Sequence, residues 1–325
     1  MNNTTLKRIA EALDLSISTV SRALKDHPDI SARTKERVKE LANTLDYEPN
    51  ANAVHLRTNK TNLLGVIVPS VSNFFYDSFI SAVEEEARKN NYSLMILQSG
   101  DDAITEAENI KLCRQNRVSG VFACITKETV NADAFIKLKE HDIPVIFFDK
   151  VPEDASYNKV CVADSAAASI AANVLVENKT KKILALFGNS NLSITKKRLK
   201  AFTETIAGRA SISTAFAENI EEAETKTAEL LAEKPGAVFC MSDETLAGAM
   251  KAIQRKHLNI PSDISVIAIS NGFIPKLYFP EITYVETSGY KLGKLAFSVM
   301  VANISGSTFV QELTIDAILV KGGSL

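Results

Sequence analysis

The chain has 325 residues, enough for two or three domains with a sizeable core. Apolar residues make up 46% and charged residues 23%, and the formal charge is -2, so the chain as a whole is neither a basic nucleic-acid glove nor an acidic disordered segment. Residues 1–60 carry 10 basic and 8 acidic residues against 27 and 31 in the rest, a mild asymmetry that puts the positive end at the N-terminus. Cys113, Cys124, Cys161 and Cys240 are scattered, without a CxxC pair or a neighbouring His cluster. Three of them lie in apolar runs (VFACI, VCVA, VFCM), the pattern of buried free thiols in a reducing compartment, so no metal site is expected. The start, MNNTTLKRIAEAL, has no apolar export core, and no apolar run approaches 18 residues. A cytoplasmic protein is expected.

In TLKRIAEALDLSISTVSRAL, Leu6, Ile9, Ala10 and Leu13 form one stripe at helical spacing. After a break at residues 14–16, a second helix turns Val20, Ala23 and Leu24 inward and Ser18, Thr19, Ser21 and Arg22 outward. Two short helices joined by a tight turn, the second small and polar where it starts, suit a groove about 12 Å wide, although other helical hairpins share the pattern. Pro28 to Ser31 reads as a loop ending in an N-cap, and Val38, Leu41, Ala42 and Leu45 form the inner stripe of a third helix. Residues 50–56 could make two helical turns, a length marginal by itself in water. Alternatively they form an ordinary linker whose Leu56 docks on the next domain.

From Leu63 the rhythm changes. LLGVIVP, SLMILQ, GVFACI and PVIFFD are strand candidates separated by helical patterns. A crossing at residues 159–163 is expected before KILALFG, a weaker SISTAFA, AVFCM and SVIAIS repeat the alternation. The reading is two parallel-sheet α/β lobes around a cleft, with a late helix from Ser288 to about Asn303 returning to the first lobe. Ligands of such folds bind beyond the carboxyl ends of the strands. Candidates there are Ser72, Phe74, Phe75 and Tyr76 after the first strand, Asp149 and Lys150 after the fourth, and Arg198, Asp243 and Ser270 in the second half. Aromatic faces stack on sugars or bases, and carboxylates with a guanidinium take adjacent hydroxyls. Each of these residues has a plain alternative, as a helix anchor, a cap or a hinge ion pair.

TLKRIA, SxSTVSRAL, Tyr47-x-Pro49-Asn50 and Ala53-x-x-Leu56 together resemble the head of the lac-repressor (LacI/GalR) family of bacterial transcription regulators. VSNxF, IPVIFFDK, VADSAAA, RxxxF, SDETLAGA and GYKLG resemble landmarks of its periplasmic-binding-protein-like body. The resemblance implies a helix-turn-helix domain over residues 1–48, a hinge and linker over 49–61, and an effector-binding and dimerisation domain over 62–325. It further implies that Ile17, Ser18 and Arg22 choose bases, while Thr5, Ser16, Thr19, Ser21 and Asn50 hold phosphates or set register. Leu6, Ala53 and Val54 would also lie against DNA, with Leu56 as a wedge in the minor groove. The expected partners are double-stranded operator DNA, a sugar-like small molecule and a second copy of the chain; no cofactor and no membrane are implied.

Departures from the family pattern are Asp14 for Gly, Val54 for the hinge Arg, Phe74 for Pro, Ser165 for Asn, and Ser270-Asn271 near a frequent Asp. The last leaves the effector's identity open. An enzyme reading finds no GxGxxG after the first strand, and no GxxxxGK[ST], GxSxG or HExxH.

Overall fold

A computed structural model describes residues 6–47, 61–129 and 132–325, and the chain divides into two compact units, Met1–Lys60 and Thr61–Leu325. Thr5, Asn50, Ala53, Val54 and Leu56 lie outside the described residues.

The first unit holds α1 (Leu6–Leu13), α2 (Ile17–Leu24) and α3 (Ala32–Thr44). Its core is Ile9 and Ala10 of α1, Val20 and Ala23 of α2, and Val38 and Ala42 of α3, flanked by half-buried Leu6, Leu13, Leu24, Leu41, Leu45 and Tyr47. That is the stripe pattern read from the sequence. Asp14 ends α1 at φ 55°, the left-handed conformation that Asp tolerates better than most residues. Ser16 then caps α2, its hydroxyl accepting from the Thr19 N–H at 3.0 Å, and Ser31 caps α3 by accepting from the Thr34 N–H at 3.2 Å.

The second unit contains two six-stranded sheets. In chain order its elements begin with β1 (Leu63–Val68), α4 (Phe74–Lys89), β2 (Ser93–Gln98), α5 (Ala103–Gln115), β3 (Gly120–Ala123), α6 (Asp133–Lys139), β4 (Val145–Phe148) and β5 (Asn158–Val162). The chain then enters the second lobe with α7 (Asp164–Glu177), β6 (Lys182–Phe187), α8 (Ser193–Ile206), β7 (Ser211–Phe216), α9 (Ile220–Leu230), β8 (Ala237–Cys240), α10 (Asp243–Arg255), β9 (Ser265–Ser270) and β10 (Thr283–Glu286). α11 (Gly289–Ile304) and β11 (Glu312–Ile315) return to the first lobe, and β12 (Ile318–Val320) closes the second. The sheet orders are β11-β5-β4-β3-β1-β2, all parallel, and β12-β10-β9-β8-β6-β7, parallel except for β12.

Central strands such as β1, β4 and β8 are buried on both faces, which explains their unbroken apolar spelling. Residues 159–162 were expected in a crossing but belong to β5, which pairs with β4 and β11. Its polar start concealed it: Asn158 is buried because its amide donates to Asn303 at 3.0 Å and its carbonyl accepts from the Gln311 N–H at 3.0 Å. The first crossing therefore starts at Ala163, and two more follow, between β10 and α11 and between β11 and β12.

The late helix does return to the first lobe. α11 packs along α4 in one core with Phe79, Phe122 and Phe148, and Phe79 lies flat on Phe148 with ring centroids 3.7 Å apart. Close approach is possible because Gly293 lacks a side chain; a Cβ there would stand 2.6 Å from the Phe79 carbonyl oxygen and 2.8 Å from the Ala82 Cβ. Among the described residues no helix is long and apolar enough to cross a membrane. Overpacking of a helix seam of this kind costs about 1–3 kcal/mol, so Gly293→Ala lowers the urea midpoint of the body correspondingly. An unchanged midpoint would show that the seam can spread freely.

Candidate functional site

The two parallel sheets point the carboxyl ends of their strands at one cleft, where the loops hold a cavity of ≈ 260 Å³. Phe75, Tyr76, Asp149, Lys150, Arg198, Asp243 and Ser270, all candidates from the sequence, line it. Ser72 and Phe74 are exposed outside that lining, and the Phe74 ring lies tilted against Phe273 of the other lobe, centroids 4.7 Å apart. Asn73 and Asn271, which the sequence places beside those candidates at the same strand ends, join the lining, as do Asp101, Leu192, Ile194, Glu218 and Glu244, which it does not single out. Asp101 and Glu218 follow the edge strands β2 and β7, whose mixed burial made those strand ends harder to recognise. Glu244 was legible in principle, one residue beyond Asp243.

Each polar side chain has a definite anchor. Asn73 caps α4, its side-chain oxygen accepting from the Phe75 N–H at 2.8 Å, while its amide donates across the cleft to Glu244. Tyr76 is buried and donates its hydroxyl to Asp149 at 2.8 Å. Burial pushes the Tyr76 hydroxyl well up, so it stays a donor. Asp149 stands at φ 58°, a left-handed position that turns the chain as β4 ends. Lys150 keeps its proton: burial opposes the charge, but Cys124, Asp101 and Asp149 outweigh it, and Asp101 lies 3.1 Å away.

In the second lobe, Arg198 is buried and pairs with Asp164 at 2.9 Å, and a further guanidinium N–H donates to the Met241 carbonyl. Asp243 opens α10 and accepts from the Ser270 hydroxyl and from the Asn271 N–H at 3.2 Å. Burial raises Asp164 and Asp243 to about 6 each, partly offset by Arg198 for the first and by Ser270 for the second. Asp149 also moves up, mainly through burial. The lobes touch through Lys127 and Glu218, 2.8 Å apart, and through the Asn271 amide, which donates to the Phe74 carbonyl at 3.2 Å.

In the first unit, Ser16, Ile17, Ser18 and Arg22 are exposed around the start of α2, Thr19 and Ser21 are half-buried beside them, and half-buried Leu6 opens α1. Ile17 is 49% exposed at the start of α2, so its side chain is free to meet another molecule. The Ser16 hydroxyl hydrogen-bonds with those of Ser18 at 2.7 Å and Thr19 at 2.8 Å.

The family profile described as periplasmic binding proteins and sugar binding domain of LacI family matches residues 61–321, and that of bacterial regulatory proteins, lacI family, matches residues 5–50. The chain belongs to the lacI family. This lacI-family chain is 28% identical over 309 residues to an HTH-type transcriptional repressor, PurR, of Vibrio atlanticus, covering 92% of each chain. It is 25% identical to a ribose operon repressor of Haemophilus influenzae, again with 92% of each covered. A crystal structure of the lac repressor dimer bound to operator and the anti-inducer ONPF superposes with a TM-score of 0.89 at 21% identity, covering 99% of both chains. Like its relatives, the lacI-family chain is a DNA-binding transcriptional regulator and not an enzyme. The four cysteines are free and buried, and among the described residues no group of His, Cys, Asp and Glu could hold a metal ion.

The raised carboxyls fix the sign of a pH effect. A carboxyl whose folded pKa lies above its unfolded value near 3.8 holds its proton more tightly when folded, so stability is lost as pH rises between the two values. The ligand-free protein therefore gains stability from this group when taken from pH 7.5 to 5, by about 1.4 kcal/mol per pH unit at most for a single proton. Asp243→Asn removes its share, and thermal melts of both proteins across that range should draw together at pH 5; parallel curves would refute the assignment to Asp243.

Proposed function

We propose that the protein is a repressor acting in the cytoplasm as a homodimer on a pseudo-palindromic operator, with a small polyhydroxylated molecule in the cleft setting its DNA affinity. Residues 1–48 read DNA, 49–61 connect, and 62–325 bind the effector and the second subunit. The observation that carries this reading is the capped, exposed start of α2 on a three-helix core. Its slim first turn carries exposed Ile17 and Ser18, and Arg22 is exposed in its last turn. In a major groove Arg takes guanine edges and an exposed Ile meets thymine methyls, while Ser16, Thr19 and Ser21 are placed for phosphates. Thr5, Leu6, Asn50, Ala53, Val54 and Leu56 complete the proposed footprint, with Leu56 as the minor-groove wedge.

The mixture of carboxylates, a guanidinium, and Phe75 and Tyr76 in the cavity suits a sugar or sugar derivative, in keeping with the ribose operon repressor among the relatives. Ligand-driven closure changes the angle between lobes and, in a dimer, the spacing of the two heads. A 100-fold change in operator affinity needs a coupling of about 2.7 kcal/mol, within the normal range for allostery.

A second copy has a suitable landing place on the second lobe, where Phe273, Leu277 and Phe279 are 48%, 62% and 102% exposed around one turn. Three large apolar side chains in so short a segment form a patch that a solitary subunit would leave in water. Twofold protein symmetry then matches twofold operator symmetry.

Exchanging Ile17 and Ser18 for other residues should move base preference by about 1–3 kcal/mol at the contacted positions, read by selection from randomised duplexes. An unchanged preferred site would refute the base-reading assignment. Phe279→Asp should weaken dimerisation at least tenfold, about 1.4 kcal/mol, seen by sedimentation, with a parallel loss of operator affinity. A dimer of unaltered strength would place the interface elsewhere.

A further inference from the structure

The cavity lining contains five carboxylates, Asp101, Asp149, Glu218, Asp243 and Glu244, and only two basic groups, Lys150 and Arg198. Both cations are already engaged: Lys150 is 3.1 Å from Asp101, and Arg198 is 2.9 Å from Asp164. Glu218 is likewise matched, with Lys127 at 2.8 Å. Asp149, Asp243 and Glu244 are left, and among the described residues none of them has a cation within salt-bridge distance. Neutral donors hold them instead: the Tyr76 hydroxyl on Asp149, the Ser270 hydroxyl and Asn271 N–H on Asp243, and the Asn73 amide on Glu244.

The distribution between lobes matters as much as the number. Asp149 ends β4 in the first lobe, whereas Asp243 and Glu244 open α10 in the second. Burial works against the ionisation of both Asp149 and Asp243, and the negative charge of Glu244 adds to it; at Asp149 the more distant charges of Lys150 and Arg198 outweigh Glu244, whereas at Asp243 Glu244 outweighs Arg198. With the cavity empty, closing the lobes brings like charges together in a partly dehydrated space, which costs energy. A neutral sugar can accept hydrogen bonds from none of these carboxylates and can only donate to them, leaving the charge excess in place. A phosphate would add to it, and neither Lys150 nor Arg198 is unpaired to receive one.

Resting on the reading of this cleft as the effector site, we propose that the effector carries a positive charge: an amino sugar or similar hydroxylated amine whose ammonium group sits between Asp149 of one lobe and Asp243 and Glu244 of the other. The ammonium supplies a counter-charge in direct contact, where Lys150 and Arg198 act only from beyond salt-bridge distance. Its hydroxyls meet the remaining polar lining, and Phe75 and Tyr76 provide apolar ring surface beside a cation. Because the ammonium bridges carboxylates from both lobes, its binding itself favours closure.

The test uses the full-length protein in thermal-shift and calorimetric titrations against aminated hexoses and pentoses, each beside its neutral parent, its N-acetyl form and the corresponding sugar phosphate. The expected result is an amine that binds at least tenfold more tightly than its parent and its N-acetyl form. Glu244→Gln and Asp243→Asn should each erode that preference. Affinity for the amine should also fall as pH drops through about 6, where protons compete for Asp243 among its neighbours Glu244, Arg198, Ser270 and Asn271, while a neutral ligand, which loses only a hydrogen bond and no ion pair, would show a smaller fall. A neutral sugar that binds as well as its amine, or a sugar phosphate that binds best, would overturn the charge assignment and leave the effector cleft standing. Silence from every class would remove both the charge assignment and the sugar reading.

Discussion

The body of this protein depends on where its chain passes between two sheets. Parallel strands must be joined by long right-handed connections, so all loops at one end of each sheet gather on the same side. Three passages, after β5, after β10 and after β11, hold those two ends face to face. The cleft is therefore set by topology, before any particular side chain is chosen. The passages also limit what can move: residues between packed elements are few, whereas β1, β4, β6 and β9 are locked by burial on both faces. Relative motion of the lobes is left to short connecting segments, the usual anatomy of a hinge.

Within that frame, charge is handled differently at two depths. The Arg198–Asp164 pair is nearly sealed from water and satisfied by a further bond to a backbone carbonyl, an arrangement that orients α7 and α8 and leaves little for a ligand to gain from the guanidinium. Asp149, Asp243 and Glu244 sit nearer the opening and are held only by neutral donors. The same burial that raises the affinity of Asp149 and Asp243 for protons also strengthens their attraction for any cation able to enter.

Much of this was legible in the sequence, for identifiable reasons. The three-helix head announced itself because each helix buries a stripe with intact 3.6-residue spacing, and its caps are the Ser residues that local hydrogen bonding favours. Central strands were plain because burial on both faces leaves them uniformly apolar. Some edges and short strands were less so: β7 reads only as a weaker strand, β12 has three residues, and β5 begins with the buried polar pair Asn158-Lys159. Seven of the nine cleft candidates line the cavity because strand ends predict it, while Ser72 and Phe74 were misplaced by a turn whose direction depends on tertiary packing. The partners Asn73–Glu244 and Lys127–Glu218 are distant in sequence and only the fold brings them together.

The head has a further consequence in its size. Among the described residues six buried side chains on three helices make a thin core, and small domains bury a low fraction of their surface. Its resistance to opening is correspondingly modest beside that of a body with four larger clusters. Anything that binds only the folded head adds to its stability by mass action. For a regulator this links occupancy to stability: whatever DNA adds to the folded head by mass action is absent from a copy that is off its site.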